Sequence, residues 1–182
     1  MRDTAAAVVG ETRALFEQHG AALYRFATAM LRHTQDAEDV VQETFLKLLQ
    51  HLEAGGNRDN LRGWLFTVAA HAARDRQRRR SRWLPWTVDH DDAVEPAALP
   101  DEDGRQRALR ASLRHVSARD RLLLALRAQG LSYREIASAA GVNETSVGQF
   151  LARAIERWTR AFEQERGEGH AVSFQRADSG RR

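Results

Sequence analysis

The sequence predicts an all-α protein. Apolar residues recur at helical spacing in several segments, and no alternating run of Val, Ile and Thr indicates a strand. All three prolines among the 182 residues lie between residues 84 and 104. Because proline breaks helices, that stretch is expected to divide the chain. We therefore expect two small helical domains, a three-helix bundle over residues 1–83 and a four-helix unit over residues 105–163.

The C-terminal unit carries the clearest local pattern, a helix, a tight turn and a second helix. Ser132 and Glu135 have the spacing of a capping box. Gly141 can supply the left-handed backbone that ends the first helix, and Asn143 can cap the second. The apolar residues expected to point inward are Ile136, Ala137, Val147, Leu151, Ala154, Ile155 and Trp158. This is the pattern of a helix-turn-helix whose second helix lies in the DNA major groove. Two further helices are predicted before it, over residues 106–114 and 119–129.

Three amphipathic helices are predicted in the N-terminal unit. They cover about residues 11–32, a segment that begins at Asp36, and about residues 60–81, with a flexible break at Gly55-Gly56-Asn57. The residues predicted to face inward are Leu15, Phe16, His19, Leu23, Phe26, Ala27, Met30 and Leu31 on the first helix, Ala37, Val40, Val41, Phe45, Leu48, Leu49 and Leu52 on the second, and Leu61, Leu65, Val68, Ala69 and Ala72 on the third.

Charge is distributed unevenly along the chain. Of the 28 basic residues, all except Lys47 are arginine, and eight arginines lie between residues 58 and 82. Residues 83–104 contain no Lys or Arg but seven Asp and Glu, which predicts an extended, flexible acidic linker over residues 84–104. A GC-rich genome would also favour arginine, so the clustering is more informative than the number. Clustered arginines suit phosphates and guanine edges.

Several function classes find no support in the sequence. Cysteine is absent, which excludes disulfides, thiolate catalysis and cysteine-ligated metals. The histidines are scattered and no phosphate-binding loop occurs, so we expect no catalytic residue, metal, cofactor or small-molecule substrate, and the protein is not predicted to be an enzyme. No apolar run approaches the roughly 20 residues that cross a bilayer, and no secretory pattern begins the chain, so a cytoplasmic protein is expected.

The segment Asp36-Ala37-Glu38-Asp39-Val40-Val41-Gln42-Glu43-Thr44-Phe45-Leu46 resembles the region-two signature of bacterial extracytoplasmic-function sigma factors. In that family this helix binds the clamp helices of the largest subunit of RNA polymerase. The resemblance implies a polymerase-binding role for Asp36, Glu38, Asp39, Gln42, Glu43 and Leu46. A leucine among outward acids also indicates a docking surface, although an ordinary solvated acidic face is the alternative.

The segment Leu61-Arg62-Gly63-Trp64-Leu65-Phe66, followed by an arginine run, is similar to the promoter-melting helix of the same family. Arginines can follow phosphates, and an aromatic ring can stack on an unpaired base. The alternatives are that Trp64 belongs to the core and that the arginines form a solvated helix end. The family often has Arg-Asn where this chain has Ala70-His71, which weakens the transfer of base contacts to His71. The residues expected at the minus-ten element are Asn57, Arg58, Asn60, Arg62, Trp64, Thr67, His71, Arg74 and Arg78.

Residues 118–137 resemble region four of that family, which reads the minus-thirty-five element. The expected contacts are Arg119, Arg134, Thr145, Ser146, Gln149, Arg153 and Arg157. Gln149 and Arg153 are four residues apart, so they share a helix face and suit base edges. Arg119, Arg134 and Arg157 suit phosphates.

Together the two resemblances cover about residues 15–162. They imply a promoter-specificity subunit that binds the clamp helices and flap of core RNA polymerase, promoter DNA and an anti-sigma factor. The linker would thread a polymerase channel, or simply tether the two units. The second hypothesis is a stand-alone helix-turn-helix regulator that binds duplex DNA as a dimer, which leaves the acidic second helix and the arginine-rich third helix without a role. Residues 164–182 are predicted to be a frayed tail.

Overall fold

The computed structural model describes residues 2–31, 33–83 and 111–178, with side chains for residues 5–31, 33–79 and 111–166. Within these residues it contains α-helices and no strand, which confirms the all-α prediction. The helices are α1 (Arg2–Leu31), α2 (Thr34–Glu53), α3 (Leu61–Trp83), α4 (Ala118–Ala128), α5 (Tyr133–Ala140) and α6 (Glu144–Asp178), with a single turn of 3₁₀ helix at Leu113–His115. The predicted linker over residues 84–104 lies outside the described residues.

The N-terminal unit is the three-helix bundle formed by α1, α2 and α3. Phe26 of α1 and Phe66 of α3 meet edge to face at its centre, with ring centroids 5.7 Å apart, and both are buried. The side chain of Gln77 donates a hydrogen bond to the Met30 carbonyl oxygen at 2.7 Å, which ties α3 to the end of α1. The bundle therefore presents the outer face of α2 and the length of α3 on a rigid support.

The bounds of the first two helices differ from the predicted ones. α1 begins at Arg2 rather than near residue 11, and Val8 in the added turns is buried. α2 begins two residues before Asp36, because the His33 ring caps it by accepting a hydrogen bond from the Asp36 N–H at 3.4 Å. Phe16, predicted to be inward, is 52% exposed. It lies over Gly20, which has no side chain, and within the described residues it contacts one other ring, that of Phe45.

The C-terminal unit consists of the 3₁₀ turn, α4, α5 and α6. The predicted capping box is present, with the Ser132 hydroxyl and the Glu135 carboxylate each bonding the other's backbone N–H. Gly141 ends α5 in the left-handed region, at φ 68° and ψ 43°. The Asn143 side chain accepts a hydrogen bond from the Thr145 N–H at 3.1 Å at the start of α6. These local predictions are confirmed.

Of the helix predicted over residues 106–114, residues 106–110 lie outside the described residues, residues 111 and 112 are helical, and the chain then continues as the 3₁₀ turn at Leu113–His115. Two other predictions for this unit need correction. Ile155 is 48% exposed, because the buried stripe of α6 runs through Leu151, Ala154 and Ala161 and leaves Ile155 just outside it. α6 continues as a helix to Asp178, where a frayed tail was predicted from residue 164.

The two units pack against each other in this structure. α1 contacts α4, and α3 contacts α5. The buried apolar side chains of both units form one continuous cluster. In the described part of the chain, no helix combines the length and apolar character that a membrane crossing requires. No group of His, Asp and Glu suited to a metal ion occurs there either.

Candidate nucleic-acid and polymerase interface

The outer face of α2 is acidic and carries one large apolar side chain. Glu38, Asp39 and Gln42 are exposed, and Leu46 is 56% exposed among them. Asp36, in the first turn of α2, lies near the His33 ring, with Nδ1 and the carboxylate 3.7 Å apart. All six predicted polymerase-binding residues are therefore exposed or half-buried on α2. We call this surface the acidic face; it consists of Asp36, Glu38, Asp39, Gln42, Glu43 and Leu46.

Glu43 is tied to its own bundle more strongly than the other acids. It accepts hydrogen bonds from Lys47 and from Arg76 of α3, both at 2.8 Å. These bonds, that from Lys47 first, hold the pKa of the Glu43 carboxyl below its ordinary value. Arg76 also lies 3.7 Å from the Asp39 carboxylate. Part of the charge on the acidic face is thus neutralised from within.

The loop before α3 is held by the side chains of its asparagines. Asn57 Oδ1 accepts the Asp59 N–H at 2.7 Å, and Asn60 Oδ1 accepts the Gly63 N–H at 2.9 Å and so caps α3. The indole of Trp64 stacks on the imidazole of His51, with centroids 4.7 Å apart and planes at 27°. Trp64 is half-buried and packs against the core, so the prediction that it contributes to the core is confirmed.

These residues line an open cleft of about 600 Å³ between the two units. Its walls on the α3 side are His51, Asn57, Asp59, Asn60, Gly63, Trp64 and Thr67, and on the α5 side Ser132, Arg134, Glu135 and Ser138. An aromatic wall beside amide groups suits a flat ring with a polar edge, such as an unpaired base. Sequence reasoning missed His51, because nothing in the spacing of a residue near the end of α2 indicates a partner on α3.

The arginines predicted at the minus-ten element have different surroundings. Arg58 is exposed, donates to Glu11 at 3.3 Å and also donates to the carbonyl oxygens of Leu52, in the last turn of α2, and Gly56, in the loop. Arg62 and Arg74 are half-buried and donate to carbonyl oxygens of the C-terminal unit. Arg78 is exposed. On α3, therefore, Arg62 and Arg74 are packed against the C-terminal unit, whereas Arg78 is exposed to solvent.

His71 does not line the cleft, although Asn60, Trp64 and Thr67 on the same side of α3 do. Its imidazole is exposed at the surface of α3. Partial burial, followed by the charge of Arg74, lowers the pKa of His71, so the neutral ring is favoured. The hydroxyl of Thr67 donates to the Gly63 carbonyl oxygen at 2.9 Å.

The first turns of α6 present polar side chains to solvent. Thr145, Gln149 and Arg153 are exposed, and Ser146 is half-buried. Thr145 bonds to the Asn143 cap, whereas neither Gln149 nor Arg153 bonds to another residue in the part of the chain that the structure describes. We call Thr145, Gln149 and Arg153 the recognition face. Its donors and acceptors are available for base edges.

The three arginines predicted at phosphates of the upstream element differ in what they contact. The Arg119 guanidinium lies 4.2 Å above the Phe150 ring, next to the recognition face. Arg157 pairs with the buried carboxylate of Asp120, which needs a cation, yet remains about half exposed. Arg134 lies instead on the wall of the cleft opposite the Asn57 loop.

Comparison with known proteins agrees with this architecture. The sigma-70 region 2 family model matches residues 15–83, and the sigma-70 region 4 model matches residues 106–157. The chain is 36% identical over 157 residues to the ECF RNA polymerase sigma factor SigL of Mycobacterium tuberculosis, covering 83% of this chain and 88% of that protein. It is 29% identical to the RNA polymerase sigma factor CarQ of Myxococcus xanthus, covering 79% and 84%.

The fold is also similar to a solved structure of a sigma factor. The sigma factor RpoE, co-crystallised with the anti-sigma factor NepR from Bartonella quintana, superposes with a TM-score of 0.67 at 21% identity. The match covers 84% of this chain and 97% of that one. Sigma-70 region 2 is followed by sigma-70 region 4 along the chain, and the identity to SigL extends over most of both proteins. These matches establish the family of the chain. The chain belongs to the extracytoplasmic-function sigma factors, DNA-binding initiation factors that direct bacterial RNA polymerase to its promoters.

Proposed function

We propose that three surfaces of this sigma factor divide the work of promoter selection. The acidic face of α2 binds the clamp helices of core polymerase, the recognition face of α6 reads the minus-thirty-five element, and α3 with the loop before it holds the opened minus-ten strand. The protein itself makes and breaks no covalent bond. The observation that carries this assignment is Leu46, an apolar side chain left 56% exposed in the middle of an acidic surface.

Covering an exposed leucine with a partner surface favours binding, by about 25 cal/mol for each Å² of apolar surface removed from water. The surrounding acids Glu38 and Asp39 and the amide of Gln42 form a polar rim around it. A basic partner surface would therefore bind here by apolar contact at the centre and charge attraction at the edge. The basic clamp helices that the family resemblance implies have that chemistry.

At the downstream element the protein must stabilise unpaired DNA. Unpairing a base costs a few kcal/mol, and stacking on an aromatic side chain returns about 1–3 kcal/mol per base. Trp64 supplies the stacking surface, and Asn57 and Asn60 supply donors and acceptors for a base edge. Arg58 and Arg78, both exposed, are placed for phosphates.

At the upstream element the duplex stays closed. Gln149 and Arg153 read base edges in the major groove, and Thr145, Ser146 and Arg119 support them at the backbone. The unit that carries them also binds the polymerase flap. Because polymerase and chromosomal DNA are cytoplasmic in bacteria, the protein works in that compartment.

We infer an anti-sigma factor as a further partner. The structural relative RpoE was solved bound to the anti-sigma factor NepR. Since this chain contains no cysteine, any thiol-based signal would have to act on that partner.

Reconstitution with core polymerase tests the assignment. Core enzyme plus this chain should give discrete run-off transcripts that core enzyme alone does not give. Glu38→Lys and Leu46→Asp should each reduce co-purification with core enzyme and transcript yield, whereas Glu53→Lys, on the same helix but beyond the acidic face, should not. Equal yield from all three variants would remove the acidic face from the assignment. Transcripts that do not depend on the chain, with dimeric binding to duplex DNA instead, would favour a stand-alone regulator.

A further inference from the structure

The chain enters the C-terminal unit through a short segment, residues 111–116, which we call the entry segment. Its first two residues are helical, and the 3₁₀ turn at Leu113–His115 follows. Val116 is then buried, just before α4 begins. Along the chain, the entry segment is the part of the C-terminal unit that connects it to the N-terminal bundle.

A buried hydrogen bond holds the entry segment on α6. The indole Nε1 of Trp158 donates to Ser112 Oγ at 2.9 Å, and Ser112 is fully buried. An indole has a single N–H donor, so it bonds in one direction only. Because a buried hydroxyl that loses a partner costs free energy, this bond favours one rotation of the entry segment relative to α6.

Two more contacts hold the other end of the entry segment. His115 Nε2 lies 2.9 Å from Glu165 Oε1, about two helical turns beyond Trp158 on α6. The Val116 carbonyl oxygen accepts a hydrogen bond from Arg121 Nη2 of α4 at 3.1 Å. The entry segment is thus attached at both ends and to two helices, which restricts its rotation against the rest of the unit.

The helix that holds the entry segment also carries the recognition face. α6 runs without a break from Glu144 to Asp178, and Trp158 follows Gln149 on it by about 14 Å along the helix axis. The direction in which the chain enters the unit is therefore connected to the recognition face through one helix. The sigma-70 region 4 match ends at residue 157, so Trp158 and Glu165 both lie beyond the matched family region.

We propose that Trp158 and Glu165 are positioning residues that restrict the number of base pairs allowed between the minus-ten and minus-thirty-five elements. The inference rests on the proposed function, in which α3 and the recognition face hold the two elements at the same time. Each base pair added between the elements moves one of them by about 3.4 Å and turns it by about 35° around the duplex. A rigid entry segment lets the recognition face meet the major groove at one spacing, whereas a loosened segment lets it follow the groove to neighbouring spacings.

Run-off transcription from a set of matched promoters tests this restriction. The templates carry one promoter that the holoenzyme transcribes, with its spacer at the natural length or changed by one or two base pairs. Trp158→Phe keeps an aromatic ring but removes the N–H donor. It should raise the yield from altered spacers, relative to the natural spacer, by about threefold or more, the factor expected for one lost hydrogen bond. This ratio is the readout, because a merely weakened C-terminal unit lowers every yield together.

Further variants separate the attachment from general damage. Ser112→Ala removes the same hydrogen bond from the other side, so it should reproduce Trp158→Phe, and the double variant should add little. Glu165→Ala removes the contact with His115 and should broaden the spacer profile less, because that contact is more exposed. Glu163→Ala, the same change at an exposed site on α6, should leave the profile unchanged.

Two controls apply to each variant. Circular dichroism checks that the helices persist, and holoenzyme binding to a duplex that carries only the minus-thirty-five element should be unchanged, because the recognition face is not altered. Loss of that binding would indicate a merely structural role and overturn the inference. Spacer ratios equal to those of the unmodified chain, or a flat profile for the unmodified chain, would also overturn it, while chain-dependent transcripts leave the proposed function standing. If no transcript depends on the chain, the proposed function fails and this inference falls with it.

Discussion

The two surfaces assigned to DNA are in opposite states in this structure. The recognition face of α6 is exposed, and Gln149 and Arg153 have no hydrogen-bond partner in the described part of the chain. On α3, by contrast, Arg62 and Arg74 are half-buried and bonded to the ends of other helices. Arginine serves both surfaces, so residue type does not distinguish them. The exposure of these side chains depends on what packs beside them, and the ends of α4 and α5 are what cover Arg62 and Arg74.

The largest expected effect is the loss of stability when the buried side chain of Ile136 on α5 is shortened. Ile136 is fully buried beneath that helix, so Ile136→Ala should lower the free energy of unfolding by about 2–5 kcal/mol through lost burial and a cavity. Urea denaturation followed by circular dichroism measures the loss. Ser138→Ala, exposed on the same helix, should change it by no more than about 0.5 kcal/mol. A loss below about 1 kcal/mol for Ile136→Ala would mean that α5 is not anchored as described.

The next effect sharpens the contrast at the open surface. Gln149→Ala should weaken binding of holoenzyme to its upstream element by about 1–3 kcal/mol, which is the usual worth of a bidentate base contact. Fluorescence anisotropy with duplex DNA at fixed salt measures it. Gln164→Ala, exposed further along α6, should have no effect. Unchanged promoter preference in the Gln149 variant would remove this residue from the recognition face.

Two glycine substitutions should have opposite signs. Gly141→Ala places a side chain at φ 68°, so it should cost about 1–2 kcal/mol even though nothing lies within 4 Å of the new Cβ atom. Gly148→Ala lies inside α6, where the new Cβ would meet the Tyr133 ring at an ordinary 3.4 Å, and should stabilise the protein by about 0.5–1 kcal/mol. Thermal unfolding of both variants compares them. A shared sign would show that the turn between α5 and α6 is not under the backbone constraint described.

The smallest effect concerns His19 of α1, near Arg62. Partial burial, followed by the charge of Arg62, lowers the pKa of His19 below 6.5, so the folded protein favours the neutral ring. Its contribution to stability is present above about pH 6.5 and is lost as the pH falls through the lowered folded value. His19→Gln should therefore flatten the decline in unfolding free energy between about pH 7 and about pH 5. Parallel curves for the variant and the unmodified protein would contradict this assignment.

The features predicted correctly from the sequence depend on short-range rules. The Ser132–Glu135 capping box and the turn at Gly141 each follow from residues within one or two helical turns. Helical spacing also placed Leu46 outward on α2. The start of α1 was missed because Gly10 interrupts the pattern, although the buried Val8 before it shows that tertiary packing extends the helix there.

The features that the sequence did not predict depend on partners far apart in the chain. Periodicity gives the direction of Phe16 and Ile155 but not how far the neighbouring helices reach, so both were wrongly expected to be buried. The contact of Arg74 with the end of α5 joins a surface side chain to backbone atoms, and neither leaves a pattern in the sequence. The stacking of His51 on Trp64 joins α2 to α3, and no spacing in the sequence indicates this pair either.

Lys47, paired with Glu43 at 2.8 Å, is the only lysine in the chain. Amine-directed chemistry therefore has one side-chain target, beside the acidic face that is assigned to polymerase. Coupling the protein to a surface or a dye through this side chain would cover part of that face and lower its apparent affinity for core enzyme. Acylation of this single residue would also release Glu43 from one of its two bonded cations, which makes Lys47 a site where one small modification alters the charge of the polymerase contact.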